Sequence, residues 1–324
     1  MRLLPTLLLC LASYSPLALA TQLDDLYQVR EPLAADTDVE QSIALSAAFD
    51  TLLLRLTPNP RINSDTALTA LRQNPQPLIV RYSKQGSSLL VEFDPASTLR
   101  TLREQGLPLW TGERPQLLVW WLENGYGEGS AQLLGDAQSA SEALNKAAQH
   151  RALPVLLPLA DLSEQWLSPQ TDEAAWLENA ARYNSDGLLL VNATDNGRQL
   201  EASWQLRLDD YQASDTIRGM DRDSLADMLL LSVSQRLAER FAVAPVEGEP
   251  VLILEVRGAN LERYAALSRV LAPFSAKLLQ VDADKWLWQL SADPTTLRAH
   301  LKLMQLNEIP PFDPADAGRL IFSW

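Results

Sequence analysis

A chain of 324 residues, 47% of them hydrophobic and nine of them tryptophan, holds enough apolar material for more than one core, and its 21% charged fraction excludes wholesale disorder. The formal charge of −14, from 41 acidic against 27 basic residues, excludes a nucleic-acid backbone as partner and offers no polybasic patch for anionic lipid. At about 100–200 residues per domain, two or three domains are expected.

Residues 1–20 have the form of a secretory signal. Arg2 supplies the positive start, Leu3 to Ala12 an apolar run, and Ala18-Leu19-Ala20 an A-x-A site, with cleavage expected after Ala20. The run is shorter than the roughly 20 residues that span a membrane, and no later segment is long and apolar enough. Leu8 and Leu9 stand before Cys10 where small residues would precede a lipid-modified cysteine. Cleavage removes Cys10, the one cysteine, and with it disulfides, thiolate metal sites and cysteine nucleophiles. A periplasmic location is expected.

A short strand at Leu26–Val29 opens the first module, expected over 21–107. Asp38 and Gln41 form a capping-box pattern, followed by a helix with Leu45, Phe49, Leu52, Leu53 and Leu56 on one stripe, ended by Pro58-Asn59-Pro60. A weaker helix is expected over Asp65–Arg72. Leu78–Tyr82 and Leu89–Phe93 read as a hairpin across Gly86, and Pro95–Gln105 as a helix closed by Gly106. The segment Leu107–Pro115, with Pro108, Gly112 and Pro115, reads as a link.

A central module is expected over 108–244. Its strands are Leu117–Leu122, Leu153–Leu159, Leu188–Val191 and Gln199–Leu208, the last two joined at Asp195-Asn196-Gly197. Helices are expected at Ala137–His150, Asp172–Tyr183 and Ser224–Phe241, the last with Leu225, Met228, Leu229, Val233 and Leu237 on its stripe. Gly125–Ser130 lacks the third glycine and the lysine of a phosphate loop, so it reads as a surface loop. Beyond a linker at Ala244–Pro250, the region 250–324 shows the β-α-β-β-α-β order of a ferredoxin-like unit. The expected fold class is α+β (mixed α/β) in three small modules: the middle one a helix-flanked mixed sheet, the last ferredoxin-like.

Catalytic equipment is sparse. His150 and His300 fall near helix ends in different modules, where imidazoles serve as solvated or capping groups, and no metal-ligand spacing accompanies them. Asp221 and Asp223 fit charge complementation at a helix start better than a metal pair. No cofactor is expected. Trp120 and Trp121 are adjacent in one strand and so face opposite sides. One of them is expected on an outward face, and with Trp110 and Arg114 they make the candidate binding surface.

Leu54-Arg55-Leu56-Thr57, Val91-Glu92-Phe93-Asp94, Gly106–Trp110, Glu113-Arg114-Pro115 and Ala152–Leu159 with Asp161 carry a resemblance to domain of unknown function family 2066, secreted proteins of Gram-negative bacteria, over most of 22–245. Ala160 stands where that family often has Met, and the resemblance implies no activity. Ala180–Val191 is similar to the helix-to-strand step of envelope modules: the TolB amino-terminal domain, the curli secretion factor and peptidoglycan-synthase activators. That likeness implies envelope-protein partners and no catalysis. The expectation is a non-enzymatic envelope interaction or assembly factor. The alternative is a module binding peptidoglycan or another glycan through exposed tryptophans, and the third choice a carboxylate-dependent hydrolase.

Overall fold

The computed structural model describes residues 26–124, 132–138, 140–161, 164, 172–245, 251–258, 260–282, 285–310 and 318–324. The signal-like segment with Cys10, the glycine loop, residues 246–250 of the linker and Ala283-Asp284 lie outside the described residues. Among the described residues the fold is mixed α+β, with three separate sheets.

The first sheet orders as β1 (Gln28–Pro32), β3 (Ser88–Phe93), β2 (Ile79–Gln85), all antiparallel. Helix α1 (Asp38–Leu56) covers one face and buries Leu45, Phe49, Leu52, Leu53 and Leu56. Its cap is Thr37, whose hydroxyl accepts from the Glu40 N–H, one residue before the expected Asp38. Asp38 and Glu40 instead lie in the first turn, where a carboxylate complements the helix dipole. The expected Asp65–Arg72 helix splits into one short 3₁₀ turn (Thr66–Leu68), which Asp65 caps at Ala67, and α2 (Thr69–Gln73). Gly86 (φ 61°) turns the hairpin, and α3 (Pro95–Glu104) closes the unit.

The central sheet runs β5 (Gln132–Leu133), β4 (Leu117–Asn124), β7 (Gly187–Asp195), β8 (Leu200–Leu208), β9 (Tyr211–Gly219). β4 and β7 are parallel, and β7 to β9 form an antiparallel meander. β6 (Val155–Leu156) is a two-residue addition beside β4, where the sequence suggests seven residues. Pro154 and Pro158 lack the N–H that a longer ladder would use. Strand β9 carries no clear strand pattern: Gln212, Ser214, Thr216 and Arg218 are exposed, and Tyr211, Ala213 and Ile217 lean on the core. Helices α4 (Ser141–Arg151) and α6 (Arg222–Phe241) cover one face of this sheet, and α5 (Glu173–Ala180) covers the other over β4 and β7. Helix α4 starts four residues later than expected.

The third sheet orders as β11 (Lys277–Val281), β12 (Lys285–Ser291), β10 (Val251–Arg257), β14 (Arg319–Ser323), β13 (Asn307–Glu308). Helices α7 (Leu261–Leu271) and α8 (Pro294–Leu303) bury Leu267, Leu271, Leu297 and Leu301 against Leu254, Val256, Trp286 and Trp288. The β-α-β-β-α-β order is present, with β13 added before the last strand. After α8 the chain returns as β13 in the direction of β12, then doubles back, so β14 slots in beside β10 and runs parallel to it.

Helix α6 joins the three units. Asp221 and Ser224 cap its start reciprocally, and its body packs against α1, α4, α8, β8 and β9. Leu225, Leu229, Leu230, Val233, Leu237 and Phe241 are buried along it, each worth about 1.5–3 kcal/mol of apolar transfer. Met228, expected on the buried stripe, is 46% exposed, and Leu230 takes its place.

Candidate functional site

A groove of about 1090 Å³ runs along the seam between the first two units. Gln28, Arg30, Pro32, Ser88 and Leu90 of the first sheet form one wall, and Asn145, Lys146, Gln149 and His150 of α4 with Leu153–Val155 form the other. The register of β1 decides what it offers. Leu33 N–H donates to Ser87 O (2.8 Å), which continues the β1–β3 bonding through Val29 and Glu31. Gln28, Arg30 and Pro32 therefore turn their backbone groups away from β3. Gln28 O is taken by Arg55 Nη1 (2.8 Å), and Pro32 has no N–H, which leaves Arg30 as the accessible rung. The Arg30 side chain donates to Gln85 Oε1 (2.7 Å) and Ser88 Oγ (3.1 Å), both neutral.

At the deep end of the groove, His150 stands between two carboxylates. Its Nδ1 lies 2.7 Å from Asp227 Oδ1 on α6, and its Nε2 lies 3.1 Å from Glu31 Oε1 on β1. Arg151 also donates to both oxygens of Asp227. Burial works to lower the His150 pKa, but its hydrogen bonds to Asp227 and Glu31 outweigh it and raise the value above 6.5. Burial likewise works to raise the Asp227 pKa, and the bonds from His150 and Arg151 prevail, holding it below the usual carboxylate value. The expected solvated, capping role for His150 is thus corrected: it is a paired group at a seam.

Thr51, His150 and Asp227 superficially repeat a hydroxyl–imidazole–carboxylate triad, with Thr51 Oγ1 3.3 Å from Nε2. The hydroxyl, however, donates to Glu31 Oε1 at 2.6 Å, and Thr51 is buried within α1. In this arrangement its proton is directed at Glu31, and the imidazole is not placed to take it. Each acidic side chain of the groove is engaged by a base: Asp223 with Lys146, Asp227 with Arg151 and His150, Glu31 with His150. Among the described residues no group of three His, Cys, Asp or Glu side chains is arranged to hold a metal ion.

Behind the groove sits Arg55, only 2% exposed. It donates to the carbonyls of Leu26, Gln28, Gln149 and His150, tying the first unit to the C-terminal end of α4. Next to it, Arg114 donates to Arg55 O (2.6 Å) and lies over the Trp110 ring at 3.9 Å. Its Nε and Nη1 are shut from solvent without a hydrogen-bond partner, and burial followed by the charge of Arg55 lowers its pKa to about 9.

The structure therefore brings Trp110 and Arg114 together, but not as an exposed surface. Trp110 (0% exposed) stacks on Phe241 at 5.6 Å, while Trp120 (0%) and Trp121 (2%) are buried on opposite faces of β4. Trp121 belongs to the core under α4 and α6, and Trp120 packs against Trp176 and Tyr183 on the α5 side. The expected outward tryptophan is corrected for a physical reason: β4 is an inner strand with a helical layer on each face. The groove residues Arg30, Glu31, His150 and Asp227 were not legible as a site. One sign was present in the spacing: Lys146 and His150 are four apart on α4, as are Asp223 and Asp227 on α6, so two basic positions face two acidic ones.

Residues 20–111 match the family model "Domain of unknown function (DUF8605)". The match falls on the first unit and is to a different family from the family 2066 of the resemblance. A search of the curated proteins finds no match. Among solved structures, the chain is similar to the LpoB C-terminal domain from Salmonella enterica, with 19% identity and a TM-score of 0.24 over 33% of this chain and 83% of that one.

Proposed function

We propose that the protein is an exported, non-enzymatic interaction factor of the bacterial envelope whose groove between the first two units receives an extended segment of a protein partner. The observation that carries this reading is the groove wall itself. It offers the outward rung at Arg30, a guanidinium held only by neutral groups, and the amides of Gln28, Asn145 and Gln149. Such a lining matches the peptide groups and carboxylates of an extended acidic chain. Export is supported by the Arg2, Leu3–Ala12 and Ala18-Leu19-Ala20 pattern. A glycan platform has less support, because the described tryptophans are buried except for the half-buried Trp324. A photo-crosslinking residue placed at Gln149 tests the proposal, with one at Gln212 on the exposed face of β9 as control. The expected result is one protein adduct from Gln149, absent from Gln212 and lost when Arg30→Glu is added. Equal labelling at both positions, no adduct at Gln149, or an adduct indifferent to Arg30→Glu would overturn it.

A further inference from the structure

We infer that His150 is a pH-operated clasp that sets how far the groove between the first two units opens. The inference goes beyond the identity of any occupant and holds whether or not the groove receives a polypeptide. It rests on bonding geometry. Both ring nitrogens of His150 face carboxylates, at 2.7 Å and 3.1 Å, and only an imidazolium donates from both. A neutral ring has one N–H, so one of the two contacts becomes lone pair against lone pair.

The groups around the ring decide which contact fails. Asp227 faces it from α6, Arg151 flanks it on α4, Glu31 faces it from β1, and Thr51 faces it from α1, while the Arg55 guanidinium of α1 holds the His150 carbonyl. The Lys146–Asp223 pair lies one turn further out. The shorter bond, to Asp227, stays within the central unit and is braced by Arg151, so it retains the single proton. The bond to Glu31 crosses the seam, and it is the one lost. Glu31, with its side chain 9% exposed, then keeps the Thr51 hydroxyl as its donor and is left as a buried carboxylate facing the bare lone pair of Nε2. Hydrating it requires β1 to part from α4.

The direction with pH follows from the signs above. The His150 pKa is raised, so the clasp's stabilisation is fully present below 6.5 and is lost as pH rises through the folded-state value. Asp227 is held below its ordinary 3.8, so this carboxylate stays ionised across the acidic side of that window.

The test uses the full chain carrying Cys10→Ser, which removes its single cysteine, with spin labels at Ser87→Cys and Asn145→Cys on the two walls. Dipolar distances are measured from acid to alkaline pH, alongside titration of the ring signals of its two histidines. The expected result is a short, narrow distance at acid pH that lengthens and broadens as the His150 signal titrates. His150→Gln should hold the long distance at every pH. If that variant does not fold, Glu31→Gln serves instead: its amide can accept from or donate to Nε2 and leaves no buried carboxylate to hydrate, so the distance should stay short at every pH while the His150 signal titrates lower. A distance that ignores pH overturns the inference. So does a transition that survives in His150→Gln, or a lengthening that persists in Glu31→Gln.

Discussion

Two buried arginines sit side by side at the seam, and they are not equivalent. Arg55 satisfies four carbonyls from two units, whereas Arg114 makes one hydrogen bond and leaves two nitrogens unpaired next to a like charge. Removing a donor strands buried acceptors, while replacing an under-satisfied buried charge by an apolar side chain is often neutral. Arg55→Met is therefore expected to cost at least about 3 kcal/mol in urea unfolding. Arg114→Met should stay within about 1 kcal/mol of the parent or exceed it. Equal losses would show that the Arg114–Trp110 contact carries more than its hydrogen bonding suggests. His300 makes the opposite residue-level case to His150. It is buried between the rings of Phe241 and Phe274, donates Nε2–H to Phe241 O (2.9 Å), and has its pKa pushed down to about 4 by that burial. Its ring also packs where a side chain on Gly112 would go: an added Cβ would meet Cε1 at 2.8 Å. In the unfolded chain His300 takes up a proton near 6.5, so stability falls as pH drops from there towards 4 and levels off below it. This single group contributes roughly 2–4 kcal/mol over that window. Urea midpoints measured between pH 7 and pH 4 should show the decline, and His300→Gln should flatten it.

At the scale of elements, most of what can be read from the chain is amphipathic periodicity. The α1 stripe, the β8 alternation and the hairpin at Gly86 were all legible, because each depends on a local spacing of apolar residues or a turn residue. The β9 strand was not, since its outward face is polar and its inward face carries Asp215, which meets Ser232 of α6 at 3.4 Å. For Trp120 and Trp121 the alternation was read correctly, but the fate of the outward ring depends on α5 arriving over it, and no local signal announces that. The groove was illegible for the same reason: Glu31, His150 and Asp227 are joined by tertiary packing of β1, α4 and α6. Helix α6 is the element where these long-range dependencies meet. Leu229 is wholly buried on it, and Leu229→Ala should cost about 2–5 kcal/mol. Because α6 packs against elements of all three units, the loss should appear as one shifted transition by tryptophan fluorescence and circular dichroism alike. Two resolved transitions would show that the units melt independently.

At the scale of the whole molecule, the three sheets are bound through irregular backbone as much as through helices. The stretch between the first two units, which reads as a link, is held on both sides: Leu109 and Val243 exchange hydrogen bonds (3.0 and 2.9 Å), and Trp110 N–H donates to Leu56 O at 2.7 Å. The third unit docks through His300 and through Lys302, which reaches Asp210 beside Arg240. The groove proposed as a binding site is therefore set between packed units, and the inferred His150 clasp would adjust its width.

The four carbonyls held by Arg55 also set an order of events during folding. Two belong to Leu26 and Gln28, but the other two belong to Gln149 and His150, more than ninety residues further along the chain. Contacts closed over such separations form late and slow the approach to the native state. When only the first hundred or so residues are available, Arg55 lacks the Gln149 and His150 carbonyls, and the side of α1 that meets α4 and α6 is uncovered. A chain that becomes available from its N-terminus therefore presents its first unit incomplete until α6 follows, which makes assembly a property of the chain as a whole.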